Sequence, residues 1–312
     1  MIASRGKILV IRGGAIGDFI LTLPAIAALR RQFPDVHLEV LGYPHIVQLA
    51  VGAGLVDRVQ SIEARALAGF FARGGELDPD LCDYFSEFDI IVSYLFDPDA
   101  IFQTNVARSS TAQFIAAPYR PNEREAIPAS KVYLRPLERL AIFDADPLPH
   151  LRLTAELPSA PQIALHPGSG SDKKNWPEIR WTGLLDWLVH STSRQLLLVG
   201  GEAEGERLQR LAGALPAGRV SVAQSLPLPE LARMLQRSAA FVGHDSGISH
   251  LAAALGVPVL ILWGATNENI WRPPHAHVAV LKNPGGLGTI RLEQVIEELQ
   301  RVLAGSAPAE TR

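Results

Sequence analysis

One cysteine, Cys82, in 312 residues leaves no internal disulfide to form, and such sparing use fits a reducing cytoplasm. Long hydrophobic runs are missing as well. A membrane-spanning helix needs roughly 18 or more apolar residues in succession. The longest apolar stretch here, residues 251–263, is broken by Gly256 and Pro258. The first apolar run, residues 8–11, is of strand length and leads into glycines, so no secretory signal is expected. A soluble protein is expected, with peripheral contact at a membrane surface left open. Neither sign of charge dominates, since 32 acidic residues face 29 basic ones and the formal net charge is −3. That balance offers no overall electrostatic footprint for nucleic acid, and none is expected as a partner. No short-period repeat is visible. What remains is an ordinary globular composition, 47% hydrophobic and 20% charged, in a chain long enough for two domains with separate cores.

Strand and helix signals alternate along the chain. The first half predicts strands at 7–12, 36–41, 57–62 and 89–93, and helices at 17–32, 64–73, 79–85 and 131–143. Residues 105–129 read as irregular loops. A proline-bearing stretch, 144–161, holds Pro147, Pro149, Pro158 and Pro161 and is the best linker candidate. The second half predicts strands at 162–166, 195–199, 239–242 and 257–263, and helices at 178–190, 204–214, 228–237 and 248–255. A final helix, 291–303, places Leu292, Val295, Ile296, Leu299, Val302 and Leu303 on one face. This alternation implies α/β architecture with mostly parallel sheets covered by helices on both faces. The expected domains are 1–150 and 151–312, both Rossmann-like, with the final helix free to pack back on the first.

Three glycine-bearing turns follow strands and precede helices. FVGHDSGISHLAAALGVPVLILW, residues 241–263, runs from a strand through Gly243-His244-Asp245-Ser246-Gly247 into a helix of small residues. Backbone N–H groups and the positive end of the helix dipole then point at one spot, a natural phosphate site, and Asp245 or Ser246 can cap the helix. A Ser-His-Asp hydrolase would centre its serine in G-x-S-x-G, but the order here is G-x-x-S-G. A metal site from His244, Asp245 and His250 would lack a second ligand cluster. The N-terminal turn reads Arg12-Gly13-Gly14-Ala15-Ile16-Gly17-Asp18. Gly14 and Gly17 fit a dinucleotide fingerprint, Arg12 occupies the place of its first glycine, and Glu39, read as ending strand two, keeps that reading open. Asp18 is equally accounted for as a stabiliser of a helix start. The third turn, HPGSGSDKKNWPE at 166–178, combines exposed amides, small hydroxyl residues and two lysines into an anion cradle whose end Trp176 and Pro177 anchor. Asp97-Pro98-Asp99 matches a D-x-D pattern, but its proline after a strand reads as a turn. The turn at 200–204 could place a carboxylate against a ribose, or simply start a helix.

Together ILVIRGGAIGDFILTLPAIAALRRQFP, HPGSGSDKKNWPE and FVGHDSGISHLAAALGVPVLILWGAT resemble glycosyltransferase family 9, the ADP-heptose:lipopolysaccharide heptosyltransferases. The resemblance spans most of the chain in the expected order. It implies a GT-B architecture, two Rossmann-like domains facing across a cleft: an N-terminal acceptor-binding domain and a C-terminal nucleotide-sugar-binding domain. It further implies an inverting, metal-independent transfer from a nucleotide-sugar donor, ADP-heptose, to a lipopolysaccharide-core or other glycan or glycolipid acceptor, with no cofactor. By likeness Asp18 is the general base and Lys174 stabilises the departing diphosphate. Ser169 and Lys174 match donor-diphosphate contacts, and Asp245, Ser246 and Gly247 match the family's D-[ST]-G turn. Glu204 falls near a ribose-contacting carboxylate, and Gly14, Gly17 and His250 complete the donor-binding set. The implied location is cytoplasmic, with peripheral contact at the inner membrane open. Two other functions compete: an NAD-dependent oxidoreductase using the N-terminal turn and Glu39, and a non-catalytic sugar-nucleotide-binding protein on the same fold.

Overall fold

Lys7–Arg12 (β1) carries KILVIR, and all its residues after the lysine are buried. A near-continuous apolar run of this kind marks a strand covered on both faces, as parallel sheets are. The computed structural model describes residues 6–153, 162–169 and 175–305. The chain divides into two units, residues 1–149 and 150–312.

In the first unit β1 lies at the centre, paired in parallel with His37–Gly42 (β2) on one side and Ile90–Ser93 (β4) on the other. Arg58–Ser61 (β3) and Gln113–Ala116 (β5) complete the order β3-β2-β1-β4-β5. Ile16–Gln32 (α1) follows β1 and buries an unbroken run from Phe19 to Ile26, so it has little exposed face to make amphipathic. Gly42 permits a close approach, because a Cβ there would stand 2.7 Å from the Arg12 carbonyl oxygen.

Two expectations for this unit are corrected. The stretch read as loops contains β5, and also the end of Ile101–Val106 (α4). β5 is a four-residue edge strand with only Ile115 fully buried, too short and too exposed to show alternation. The single helix expected at 131–143 is instead Ala129–Leu134 (α5) followed by a 3-10 turn over Arg135–Leu140. Pro136 has no N–H to continue the ladder. A helix at Pro44–Gly52 (α2), with proline in its first turn, was not anticipated, and Pro79–Ser86 (α3) lies where expected.

The second unit has a six-stranded parallel sheet built from Gln162–Leu165 (β6), Leu196–Gly200 (β7), Val220–Gln224 (β8), Ser238–His244 (β9), Val259–Trp263 (β10) and Val278–Lys282 (β11). Its order is β11-β10-β9-β6-β7-β8. Counted from its own first strand that is the 3-2-1-4-5-6 order of a Rossmann fold, and the first unit follows the same order for five strands. Both units are therefore Rossmann-like, the GT-B pattern. β8 and β11 escaped the sequence because they are the sheet's edges and their exposed positions dilute the apolar signal. Glu178–Ser191 (α6), Gly205–Gly213 (α7), Leu228–Leu235 (α8), Gly247–Ala254 (α9), the short Glu268–Trp271 (α10) and Leu292–Leu303 (α11) cover the sheet. Val295, Leu299 and Val302 of α11 join the core of their own unit beside Trp181, Leu185 and Leu260. The final helix thus spends its apolar face on the second unit. Among the described residues no helix is long and apolar enough to cross a membrane.

Candidate functional site

In a doubly wound sheet, ligands bind beyond the carboxyl ends of the strands where the strand order reverses. The first unit reverses between β1 and β4, and the loop after β1 is the one that carries Gly14, Gly17 and Asp18. Asp18 sits at the third position of α1, where its Oδ2 accepts the Ala15 N–H at 3.0 Å. Gly14 has φ of +97°, and a Cβ there would stand 2.8 Å from Asp18 Oδ2, so the turn and the carboxylate fit only around a glycine. Gly17 lies in the first turn of the helix. The Asp18 side chain keeps 26% exposure and can reach a ligand.

Behind Asp18 lies a residue the sequence reading treated only as a missing glycine. Arg12 is 3% exposed, and its Nη2 stands 3.7 Å from Asp18 Oδ1. Nη2 also donates to the Asp18 carbonyl at 3.2 Å, and Nη1 donates to the Tyr119 carbonyl at 2.9 Å. The guanidinium lies 4.6 Å from the ring centre of Tyr133 and 5.7 Å from that of Tyr94, within cation–π range of both. Burial pushes both phenols above their ordinary range, against the smaller opposing effect of the Arg12 charge. The tyrosines come from β4's end and α5, so no local pattern announced them. Glu39 is mid-strand rather than at the end of β2. Buried at 2% exposure, it accepts the Tyr84 hydroxyl at 2.8 Å and lies 3.3 Å from His37 Nε2. An NAD ribose would need that carboxylate free at the strand end, so the oxidoreductase reading loses its second element.

The second unit reverses between β6 and β9. Its two switch-point loops are the segments holding Ser169 and Asp245-Ser246-Gly247. Ser246 caps α9, accepting from the Ser249 N–H, and its hydroxyl lies 3.3 Å from His166 Nδ1 across the gap between the two loops. The amides of Gly247 and Ile248, in the first turn, have no intrahelical acceptor, and the helix dipole adds positive potential there. Thr266, in the loop after β10, donates its hydroxyl to Asp245 Oδ2 at 2.5 Å, a partner the sequence did not suggest. Glu204 is buried and accepts the Gly201 N–H at 2.9 Å. Its side chain lies so close to Gly168 that a Cβ there would come within 2.1 Å of Glu204 Cγ. The structure thereby brings Glu204 to the β6 loop, and Arg207 Nη1 donates to the Pro167 carbonyl of the same loop at 3.3 Å. Ser169 donates to Asn175 Oδ1 at 2.8 Å. Lys174 lies outside the described residues. His250 is buried within α9, a turn beyond Ser246.

His244 proves to be a structural pin. The Trp176 N–H donates to its Nε2 at 2.8 Å, so Nε2 carries a lone pair and the proton sits on Nδ1, which faces the Gly168 carbonyl at 3.2 Å. Both ends of the cradle loop are thus tied to one neutral imidazole. Burial pushes His244 down to about 3, against a smaller opposing effect of the Gly168 carbonyl. Burial also pushes His166 down to about 4. Among the described residues no three His, Cys, Asp or Glu side chains gather as a metal site would need. Asp97 acts as the expected turn former, its two oxygens accepting the Phe102 and Gln103 N–H groups at 3.1 and 3.0 Å.

A family model described as glycosyltransferase family 9 (heptosyltransferase) matches residues 139–291. Lipopolysaccharide heptosyltransferase 1 of Pseudomonas aeruginosa is 27% identical over 297 residues, covering 84% of this chain and 79% of that protein. Among solved structures, a family 9 glycosyltransferase from Veillonella parvula superposes with a TM-score of 0.79 at 20% identity, covering 98% of this chain and 99% of the other. The ADP-heptose lipopolysaccharide heptosyltransferase II of Escherichia coli superposes with a TM-score of 0.76 at 20% identity, covering 96% and 99%.

Proposed function

We propose that this chain, whose residues 139–291 match the family 9 glycosyltransferase model, is a member of that family and moves a heptosyl group from ADP-heptose to a lipopolysaccharide-core or related glycan acceptor with inversion at the anomeric carbon. The observation that carries the reading is the second unit's switch point, where the β6 loop, the capped start of α9 and the Glu204 carboxylate converge. A diphosphate there meets helix amides that have no intrahelical acceptor and the positive end of a dipole, and Glu204 is the acid for the ribose. The E. coli relative whose structure superposes carries ADP-heptose in its name, which supports the same donor.

In the proposed reaction Asp18 removes the proton of the acceptor hydroxyl. The oxygen forms a bond to the anomeric carbon as the bond from that carbon to the diphosphate oxygen breaks, and ADP leaves with the electron pair. Fixed amide dipoles stabilise the charge gathering on the diphosphate without having to reorganise, and Lys174, by family likeness, adds a positive charge. Asp18 is suited to the role by its partial exposure and its fixed carboxylate. No metal is required in this scheme. The reaction takes place in the cytoplasm, with the protein in peripheral contact with the inner membrane where a glycolipid acceptor would reside.

The test is transfer from ADP-heptose to a truncated lipopolysaccharide core by purified protein, with ADP binding measured by calorimetry. Asp18→Asn is expected to lower kcat by roughly 10²–10⁴-fold, the usual worth of a general base, while ADP affinity holds. Loss of ADP binding in parallel with turnover would remove Asp18 from the base role.

A further inference from the structure

We infer that Phe96 and Tyr119 form an aromatic ledge on which a sugar ring of the acceptor stacks, an assignment that rests on the transferase reading above. The ledge belongs to the first unit's switch point. β1 and β4 are neighbours, with Ile11 opposite Ser93, and the Tyr94 N–H donates to the Ile11 carbonyl at 2.9 Å. Asp18 follows β1, and Phe96 lies three residues beyond the end of β4. Tyr119 arrives at the same place from beyond β5. The two loops that flank the reversal of strand order therefore carry the candidate base on one side and an exposed ring on the other.

Phe96 is 65% exposed and Tyr119 42%, yet the rings meet at 4.7 Å between centres and 60° between planes. Scattered exposed aromatics need no explanation, but a paired apolar surface beside a binding crevice does. The pair is also held firmly. The Tyr119 carbonyl accepts Arg12 Nη1 at 2.9 Å and lies 3.4 Å from the Tyr133 hydroxyl. Arg12 in turn reaches Asp18 Oδ1 at 3.7 Å, so one buried side chain fixes the ledge relative to the base. On the other flank Asp97, the residue next to Phe96, is pinned to the start of α4 by accepting the Phe102 and Gln103 N–H groups on its two oxygens.

Rings ordered in advance lose little freedom when a ligand covers them. A pyranose offers them a matching surface. Its C–H bonds on one face are weakly positive and meet the negative face of an aromatic ring, while its hydroxyls remain free to reach a base. Positioning the acceptor's hydroxyl near Asp18 is what such a ledge would contribute. The adenine of the donor is the competing occupant for a ring face, and the experiment separates the two.

Initial rates are measured with full-length Phe96→Ala, Tyr119→Ala, the double variant, and Phe96→Trp, varying acceptor and donor separately. Binding of the deacylated core oligosaccharide is followed in parallel by saturation-transfer NMR without donor. The alanine variants are expected to raise the acceptor KM about 3- to 10-fold each, in line with the worth of an aromatic contact, with the donor KM unmoved. Phe96→Trp, which keeps a ring face, is expected to stay within about twofold of the unsubstituted protein. Oligosaccharide signal should fall in the double variant. An unchanged acceptor KM in the double variant, or a rise confined to the donor KM, would overturn the assignment. If the unsubstituted protein shows no transfer, the transferase reading fails. The NMR comparison then still decides the ledge: equal oligosaccharide signal with and without the rings refutes it.

Discussion

Acid should weaken the second unit long before ordinary carboxylates titrate, and the size of the effect follows from two buried imidazoles. His166 and His244 are 5% and 1% exposed, and burial pushes them down to about 4 and about 3 from an ordinary 6.5. The folded state holds both rings neutral, while the unfolded chain takes up a proton at each once the pH drops below about 6.5. Stability supplied by the neutral rings is therefore complete above pH 6.5 and is lost progressively as pH falls toward 4 and then 3. At pH 5.0 each ring sits about 1.5 pH units below its unfolded value, and at 1.36 kcal/mol per unit each costs about 2 kcal/mol, about 4 kcal/mol together. Against a typical stability of about 5–15 kcal/mol for a domain, that is a large share. The depressed carboxyl of Glu178, held down chiefly by its hydrogen bond to Arg210, loses its contribution only below the ordinary glutamate range and so stays out of this window. Protonation also sets an N–H on His244 against the Trp176 N–H, detaching the cradle loop. All five tryptophans, Trp176, Trp181, Trp187, Trp263 and Trp271, lie in the second unit, so tryptophan emission reports that unit alone. Urea titrations at pH 7.5 and 5.0 should differ by about 4 kcal/mol in the unsubstituted protein. His244→Gln, which keeps an acceptor for Trp176 but cannot titrate, should lower the difference by about 2 kcal/mol, and adding His166→Asn should lower it by about 2 kcal/mol more. A wild-type difference below about 1 kcal/mol, or an unchanged difference in the double variant, would refute the reasoning.

Other expectations concern the same cradle. Gly168→Ala places a Cβ 2.1 Å from Glu204 Cγ and must displace that carboxylate or the loop. Its ADP affinity, read by calorimetry, should fall at least about tenfold, since small misplacements in a site are costly, and an unaltered affinity would show that the loop absorbs the change. Ser246→Ala removes the cap of α9 and should cost about 0.5–1 kcal/mol in tryptophan-monitored unfolding. The same change should weaken ADP binding only modestly, because the amides remain.

The alternating architecture was legible wherever strands are buried on both faces. β1, β7 and β10 are apolar throughout, and such runs are visible in any window. Of the four edge strands only β3 was legible, within the strand expected at 57–62. β5, β8 and β11 pair on one side, expose part of their length and blur into loop. Pro136 was in plain view, yet the helix around it was read as unbroken, and the backbone resolved the point through the missing N–H.

The site divides in the same way. Short-range chemistry made Gly14 and Asp18, and the start of α9, readable from the sequence by itself: a positive-φ glycine, an acid in a first helical turn and a serine cap each act within about four residues. Strand order was beyond its reach, because order is decided by which buried faces pair across tens of residues. That order puts the Asp18 loop beside Phe96 and the Ser246 loop beside His166. The neutral pin of His244 on Trp176, 68 residues away, and the cage of Tyr94 and Tyr133 around Arg12 likewise exist only after the sheets close. Burial is the main source of these groups' properties, removing water from an imidazole or a phenol so that its neutral form prevails. The sequence determined which residues were present to react, and tertiary structure decided which of them stand together and in what state of charge.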